Sequence, residues 1–380
     1  MNWDTLRQFQ DGLAELGIAG NDLAVYVKGQ PVYRHFSGWQ NMEKRIPITE
    51  RTLYRMFSMT KVFTCAAALQ LMEEGRFLMN DPVSDYLPEF ARMKVRQENG
   101  AVTQAEKPLL IHHLFTMTSG IDYELNSPEI VKALEKYGDQ ITTRQFAQAI
   151  AERPLQFEPG THWLYGFSHD VLGALIEVLS GKRLSAYLQE RIFDPLGMKN
   201  AWFRAPKDRL ADQCLRYGRD KEGNWHLADQ ENHHQPGQQY ESGGAGLTMT
   251  VDDYARFACA LTAGGTAQDG TRILAGRTVE LMRTNALTPA QLEDLWHSSQ
   301  AREGYGYGFG VRTLVDIASG SLSPVGEFGW GGAWGTYTMM DPKNQVTLVY
   351  AEQAEDTKSV YIQRRLRNMV YAALEWEGIL

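Results

Sequence analysis

The sequence predicts an α/β fold of the α+β kind: one antiparallel sheet built from both termini, flanked by helices, with an inserted helical lobe. Two observations carry this. Strand-like runs with alternating side chains cluster at the two ends of the chain, and helix-forming runs fill the middle without any internal repeat. In order, residues 23–27 and 32–36 read as a hairpin across Lys28-Gly29-Gln30-Pro31. Helices are expected at 59–74, 144–152, 169–180, 183–192, 251–263 and 276–283. Gly304 to Val311 alternates glycine with aromatics, so Tyr305, Tyr307 and Phe309 are expected on one face of a strand. Strands at 336–340 and 346–351 follow, separated by an Asp341-Pro342-Lys343-Asn344 turn, and an amphipathic helix over 357–376 closes the chain. The division this implies is a sheet-containing region of residues 1–60 plus 300–380 and a mainly helical region of 61–299, with the active site between them.

Composition excludes several function classes. The chain has 380 residues, 43% of them hydrophobic, and a formal net charge of −8, with no run of Lys or Arg. That leaves no electrostatic footprint for nucleic acid or for an anionic membrane surface. No apolar stretch approaches a membrane span, and the first seven residues lack the basic start and apolar core of an export signal, so a cytoplasmic protein is expected. Cys65, Cys214 and Cys259 are odd in number, widely spaced and set among apolar neighbours, which predicts reduced core thiols. The oligomeric state is not legible.

Ser58-Met59-Thr60-Lys61 is the most informative stretch. Positions i and i+3 lie one turn apart on one helix face, so the Lys61 amine can reach the Ser58 hydroxyl, and a hydroxyl needs such a partner to act as a nucleophile at neutral pH. At the start of a helix the backbone N–H groups and the dipole also favour developing negative charge. The bland alternative makes Ser58 an N-cap and Lys61 a solvated side chain, so the motif depends on its context.

Further segments supply that context: Leu110-Ile111-His112-His113-Leu114 through Ser119-Gly120-Ile121, Phe157-Glu158-Pro159-Gly160 through Tyr165, Gly243-Gly244-Ala245-Gly246, and Phe328-Gly329-Trp330-Gly331-Gly332. With these in order, the chain resembles the serine β-lactamase-like hydrolases: class C β-lactamases, D,D-peptidases and family VIII carboxylesterases. The resemblance implies the β-lactamase/transpeptidase-like fold, with Ser58 as nucleophile, Lys61 and Tyr165 as its proton-handling partners, and no cofactor or metal. It aligns Phe167 with the family's second-motif Asn, and Trp330-Gly331-Gly332 with its third motif of Lys or His, Thr or Ser, and Gly. The backbone N–H groups of Ser58 and Ala333 then form the oxyanion hole, and Phe167, Trp330, Gly331 and Gly332 bind substrate. Loss of the cation and of the amide makes the site more apolar, which points to the esterase branch and a small-molecule ester as substrate. The alternatives are a β-lactamase or D-amino-acid peptidase, with an Arg from a cleft loop replacing the missing Lys and a β-lactam-like substrate, or a retired binding protein of the same fold.

Other features are set aside. The pairs His112-His113 and His233-His234 lack a third ligand at suitable spacing, which argues against zinc. No Gly-x-Ser-x-Gly occurs, which argues against an α/β-hydrolase elbow. Residues 91–108, with Asn99-Gly100, read as a surface hairpin, and 284–303 as a polar excursion; loops 121–143 and 214–246 are expected to wall the pocket.

Overall fold

The computed structural model describes residues 2–299 and 302–380. Its main sheet has eight strands in the order Tyr305–Tyr307, Arg312–Leu314, Phe328–Gly329, Tyr337–Asp341, Val346–Glu352, Gly20–Val27, Gln30–Asn41 and Ile46–Pro47, all antiparallel. The termini meet at its centre, where Asn21 pairs with Glu352 and Val27 with Val346. The hairpin between the first two strands turns through Lys28 (φ +51°) and Gly29 (φ +71°). Two successive positive φ values match the strand twist, which is why glycine stands there.

Alternation along the central strands divides two cores. Leu23, Val25, Leu348 and Tyr350 face Leu6 of the helix Trp3–Gly12, Leu13 of the 3-10 turn that follows it, and Ile362, Leu366 and Val370 of the helix Ser359–Trp376. Ala24, Val349 and Ala351 face the larger core, which runs into the helical part of the molecule. Across that face lies the helix Val251–Thr262, capped by Thr250, whose side chain accepts the Asp253 N–H. Behind it the helix Thr60–Glu73 is buried on every side from Thr60 to Leu71 and packs on the helix Ser168–Ser180.

Most expected elements form, and the differences have local causes. The expected strand through Phe309 stops at Tyr307: Gly308 N–H bonds back to the Val311 carbonyl, and the chain reverses into Arg312–Leu314. Phe309 therefore leaves the face of Tyr305 and Tyr307 and packs tilted on Phe115 (centroids 5.0 Å). The expected excursion at 284–303 contains the helix Pro289–Ser298, and loop 121–143 contains Pro128–Tyr137. Both carry the starting signal of Ser or Thr followed by Pro, at Ser127-Pro128 and Thr288-Pro289, and Gln291 completes a capping box with Thr288. Residues 91–108 form the expected hairpin, pairing Lys94–Arg96 with Val102–Gln104. All three cysteines are free thiols, Cys65 and Cys214 buried and Cys259 partly so.

Candidate active site

The segment that carries Ser58, the expected nucleophile, is a 3-10 turn, Phe57–Met59, leading directly into the helix Thr60–Glu73. Phe57 adopts φ +44°, a conformation an L-residue holds only when its surroundings fix it. Here the ring of Phe57 is clamped against Trp334 (centroids 4.6 Å) beside Ala245. The turn presents Ser58 to a cavity of about 270 Å³ that it shares with Tyr165, Arg302, Trp330, Gly332 and Ala333. A larger cavity of about 800 Å³, between the hairpin of the first two strands and the helix Val251–Thr262, holds none of these groups.

Lys61 is fully buried and its Nζ donates to three acceptors: Ser58 Oγ at 3.2 Å, Tyr123 OH at 2.7 Å and the Gly244 carbonyl at 2.7 Å. Three acceptors match the three N–H bonds that an ammonium offers, so the buried amine has no unpaired donor. The Gly244 carbonyl is held in turn by Asp170, whose Oδ1 accepts the Gly244 N–H (3.2 Å), Ser242 Oγ (2.6 Å) and Tyr240 OH (2.6 Å). Asp170 stands in the first turn of its helix, where the dipole favours a carboxylate.

Tyr165 is placed beside this group rather than bonded to it. Lys61 Nζ lies 4.6 Å from its ring centroid, and its hydroxyl accepts the indole N–H of Trp330 at 3.0 Å. The two rings are tilted against each other at 5.5 Å. Tyr123, which packs edge-on to Tyr165 at 5.4 Å, holds its phenol well above the ordinary range, first through burial and then through the neighbouring Tyr165. His234 packs edge-on to Tyr123 at 5.0 Å and is held below the usual imidazole range, by burial first and by Lys61 second.

The structure thus brings Ser58, Lys61, Tyr165, Trp330, Gly331, Gly332 and Ala333 to one place. It does not bring Phe167 to the cavity. Phe167 is fully buried behind Tyr123 (4.6 Å) and against Phe146 (5.6 Å), so an aromatic here supports the site from within instead of meeting substrate. Trp330 to Gly335 forms the bend into Tyr337–Asp341, tied by the Gly331–Tyr337 bridge and by Gly332 N–H to the Thr336 carbonyl (2.7 Å). At Gly332 a Cβ would run into the Met56 carbonyl and the Thr336 hydroxyl, so the strand can approach the nucleophile turn this closely only with glycine.

Three side chains that the structure places in or against this group escape sequence reasoning: Tyr123, Asp170 and Arg302. Tyr123 follows the Ser119-Gly120-Ile121 segment in a loop, and nothing in the spacing marks it. Asp170 reads as an ordinary acidic residue of a helix's first turn. The histidine pairs also resolve: His113 Nδ1 accepts the Leu110 N–H (3.2 Å) as a helix cap, and His233 bonds Asp229 (2.6 Å) at the surface.

The β-lactamase family model matches residues 6–371 of this chain. Esterase EstB of Burkholderia gladioli is 30% identical over 397 residues, covering 96% of this chain and 93% of that protein. Among solved structures, EstCE1, described as a hydrolase with promiscuous acyltransferase activity, superposes with a TM-score of 0.81 at 24% identity, covering 97% of this chain and 98% of that one. A penicillin-binding protein homologue from Caulobacter crescentus superposes with a TM-score of 0.73 at 19% identity over 98% and 97%.

Proposed function

We propose that this chain, which belongs to the β-lactamase family and is a serine hydrolase of that fold, acts as a carboxylesterase on short-chain or small-molecule esters. The observation that carries the reading is the Lys61–Ser58 hydrogen bond beside a cavity walled by Tyr165 and Trp330. With Tyr165 taking part as its phenolate, Ser58 Oγ attacks the ester carbonyl and its proton passes to the Tyr165 oxygen, forming a C–O bond and a tetrahedral oxyanion. Lys61 orients the hydroxyl, and its charge stabilises negative charge on both oxygens. The N–H groups of Ser58 and Ala333 hold the oxyanion, each worth about 3 kcal/mol in the transition state. Collapse breaks the ester C–O bond, the Tyr165 proton goes to the leaving alcohol, and an acyl-Ser58 remains. Water then repeats the sequence, losing its proton to Tyr165 and releasing the acid and free Ser58. A small acceptor alcohol in place of water would give acyl transfer by the same steps.

The ester preference follows from the wall. Trp330 itself presents an indole face at the position where β-lactam- and peptide-cleaving relatives are expected to carry a cation, and its one N–H is already given to Tyr165; the arginines of the cavity reach it from other segments, Arg302 from the stretch after the helix Pro289–Ser298. Turnover of p-nitrophenyl butyrate, with mass spectrometry after a fluorophosphonate, tests the reading. Wild type turns over the ester and gains one phosphonyl group, Ser58→Ala does neither, and Tyr165→Phe loses about 10²-fold or more in kcat. Ser58→Ala retaining ester turnover, or a cephalosporin cleaved faster than the ester, overturns it.

A further inference from the structure

We propose that Arg302 is a specificity-determining residue that seats a carboxylate carried by the ester attacked at Ser58, which makes half-esters of small dicarboxylic acids the preferred substrate class. This rests on the hydrolase reading above. Arg302 follows the helix Pro289–Ser298, with its backbone N–H on the Ser299 carbonyl (3.0 Å). Its guanidinium carbon lies 5.0 Å from the ring centroid of Trp163, 5.4 Å from Tyr165 and 5.5 Å from Trp330. It bonds Ser298 Oγ, and among the described residues no carboxylate stands within ion-pair distance of it. Burial presses its ionisation below the ordinary arginine range, the mark of a cation short of solvent.

The rest of the cavity agrees. Arg302, Arg312, Arg364 and Arg367 all line it, whereas among the described residues no Asp or Glu does. Arg312 and Arg367 are engaged from behind by the fully buried Glu327 (3.3 and 4.0 Å), and Arg364 lies 4.0 Å from Glu303. Arg302 is thus a charge stacked on aromatic faces, in a chain of net charge −8, next to the nucleophile. A planar guanidinium fork matches a carboxylate in two parallel hydrogen bonds, and desolvation strengthens them. Ser58 and Arg302 share a cavity of only about 270 Å³, so only a short chain separates the carboxylate from the ester carbonyl, with Tyr165 and Trp330 flanking that chain.

The test compares mono-p-nitrophenyl glutarate with the neutral p-nitrophenyl valerate in wild type, Arg302→Gln and Arg302→Lys. In wild type kcat/KM favours the glutarate. Arg302→Gln lowers the glutarate-to-valerate ratio about tenfold or more, mainly through KM, and Arg302→Lys recovers part of it. Independently of any variant, raising NaCl from about 0.02 to 0.5 M raises the wild-type KM for the glutarate and not for the valerate. An unchanged ratio in folded Arg302→Gln, or equal salt dependence of the two esters, overturns the proposal. Neither ester turning over above the Ser58→Ala background overturns the hydrolase reading instead.

Discussion

Asp170 and Lys61 grip the two ends of one residue: Asp170 Oδ1 accepts the Gly244 N–H at 3.2 Å, and the Gly244 carbonyl accepts Lys61 Nζ at 2.7 Å. The lysine that contacts Ser58 is thereby fixed to a carboxylate it never touches. Because Ser242 and Tyr240 donate to the same Asp170 oxygen, the loop from Tyr240 to Gly244 is clamped as a unit. Both residues are almost fully buried, so a shift of the loop has no solvent to compensate it.

Asp170→Asn removes the charge and replaces an acceptor with an amide. With three donors left on a weaker partner, the variant is expected to lose about 2–4 kcal/mol of stability, read as a lower urea midpoint with unchanged slope. If Asp170 acts by positioning Lys61, kcat also falls about tenfold or more in the fraction still folded, with KM for a neutral ester little changed. A loss of stability with kcat preserved would leave Asp170 a purely structural residue.

Much of this was legible in the chain because it depends on neighbours in sequence. Ser58 and Lys61 meet through helical spacing, the central hairpin through Lys28-Gly29, and the close approach at Gly332 through a glycine pair. Tyr123 and Arg302 were not legible, since each reaches the site from a loop whose path is set by packing around it. Phe167 shows the limit of alignment by motif: its position in sequence matches a substrate-contacting one, but an aromatic with no polar atom is driven behind Tyr123 into the core. At Phe309 periodicity misled, because the alternation of aromatics continues across a turn that the glycines themselves make possible.

His113 gives stability a specific dependence on pH. Its ring caps the helix Ile111–Thr116 as an acceptor, and its imidazole is pushed down to about 4, by burial first and then by the charges of His112 and Lys107. Between the ordinary value of 6.5 and about 4 the unfolded chain binds a proton that the folded one refuses, so this contribution to stability falls as pH drops through that window and levels off below it. His113→Asn retains an acceptor for the Leu110 N–H without the titration. The melting-temperature difference, wild type minus variant, should therefore shrink steadily from about pH 7 to pH 4, the carboxylates common to both cancelling. A difference that stays constant over that range would show that the ring is protonated in the folded state.

Adjacent glycines separate the proposed oxyanion hole from the pocket wall. At Gly332 a methyl group would strike the Met56 carbonyl, two residues before the nucleophile, together with the Thr336 hydroxyl that donates to that same carbonyl at 3.1 Å. Backbone cannot yield there without moving Ser58 relative to the N–H of Ala333. Gly332→Ala should thus lower kcat about 10²-fold, the scale of losing an oxyanion donor, at a stability cost of about 1–3 kcal/mol. At Gly331 a Cβ would lie 3.3 Å from the Thr336 carbonyl and 3.4 Å from the Gln363 side chain, close but accommodated by a small shift. Since Gly331 lines the cavity, Gly331→Ala should raise KM, most for the bulkier acyl groups, and leave kcat for acetate esters within a few-fold of wild type. Steady-state kinetics on an acyl series from acetate to hexanoate distinguishes the two. Equal losses of kcat in both variants would mean that the segment moves as one body, and the oxyanion role of Ala333 would then lose its support.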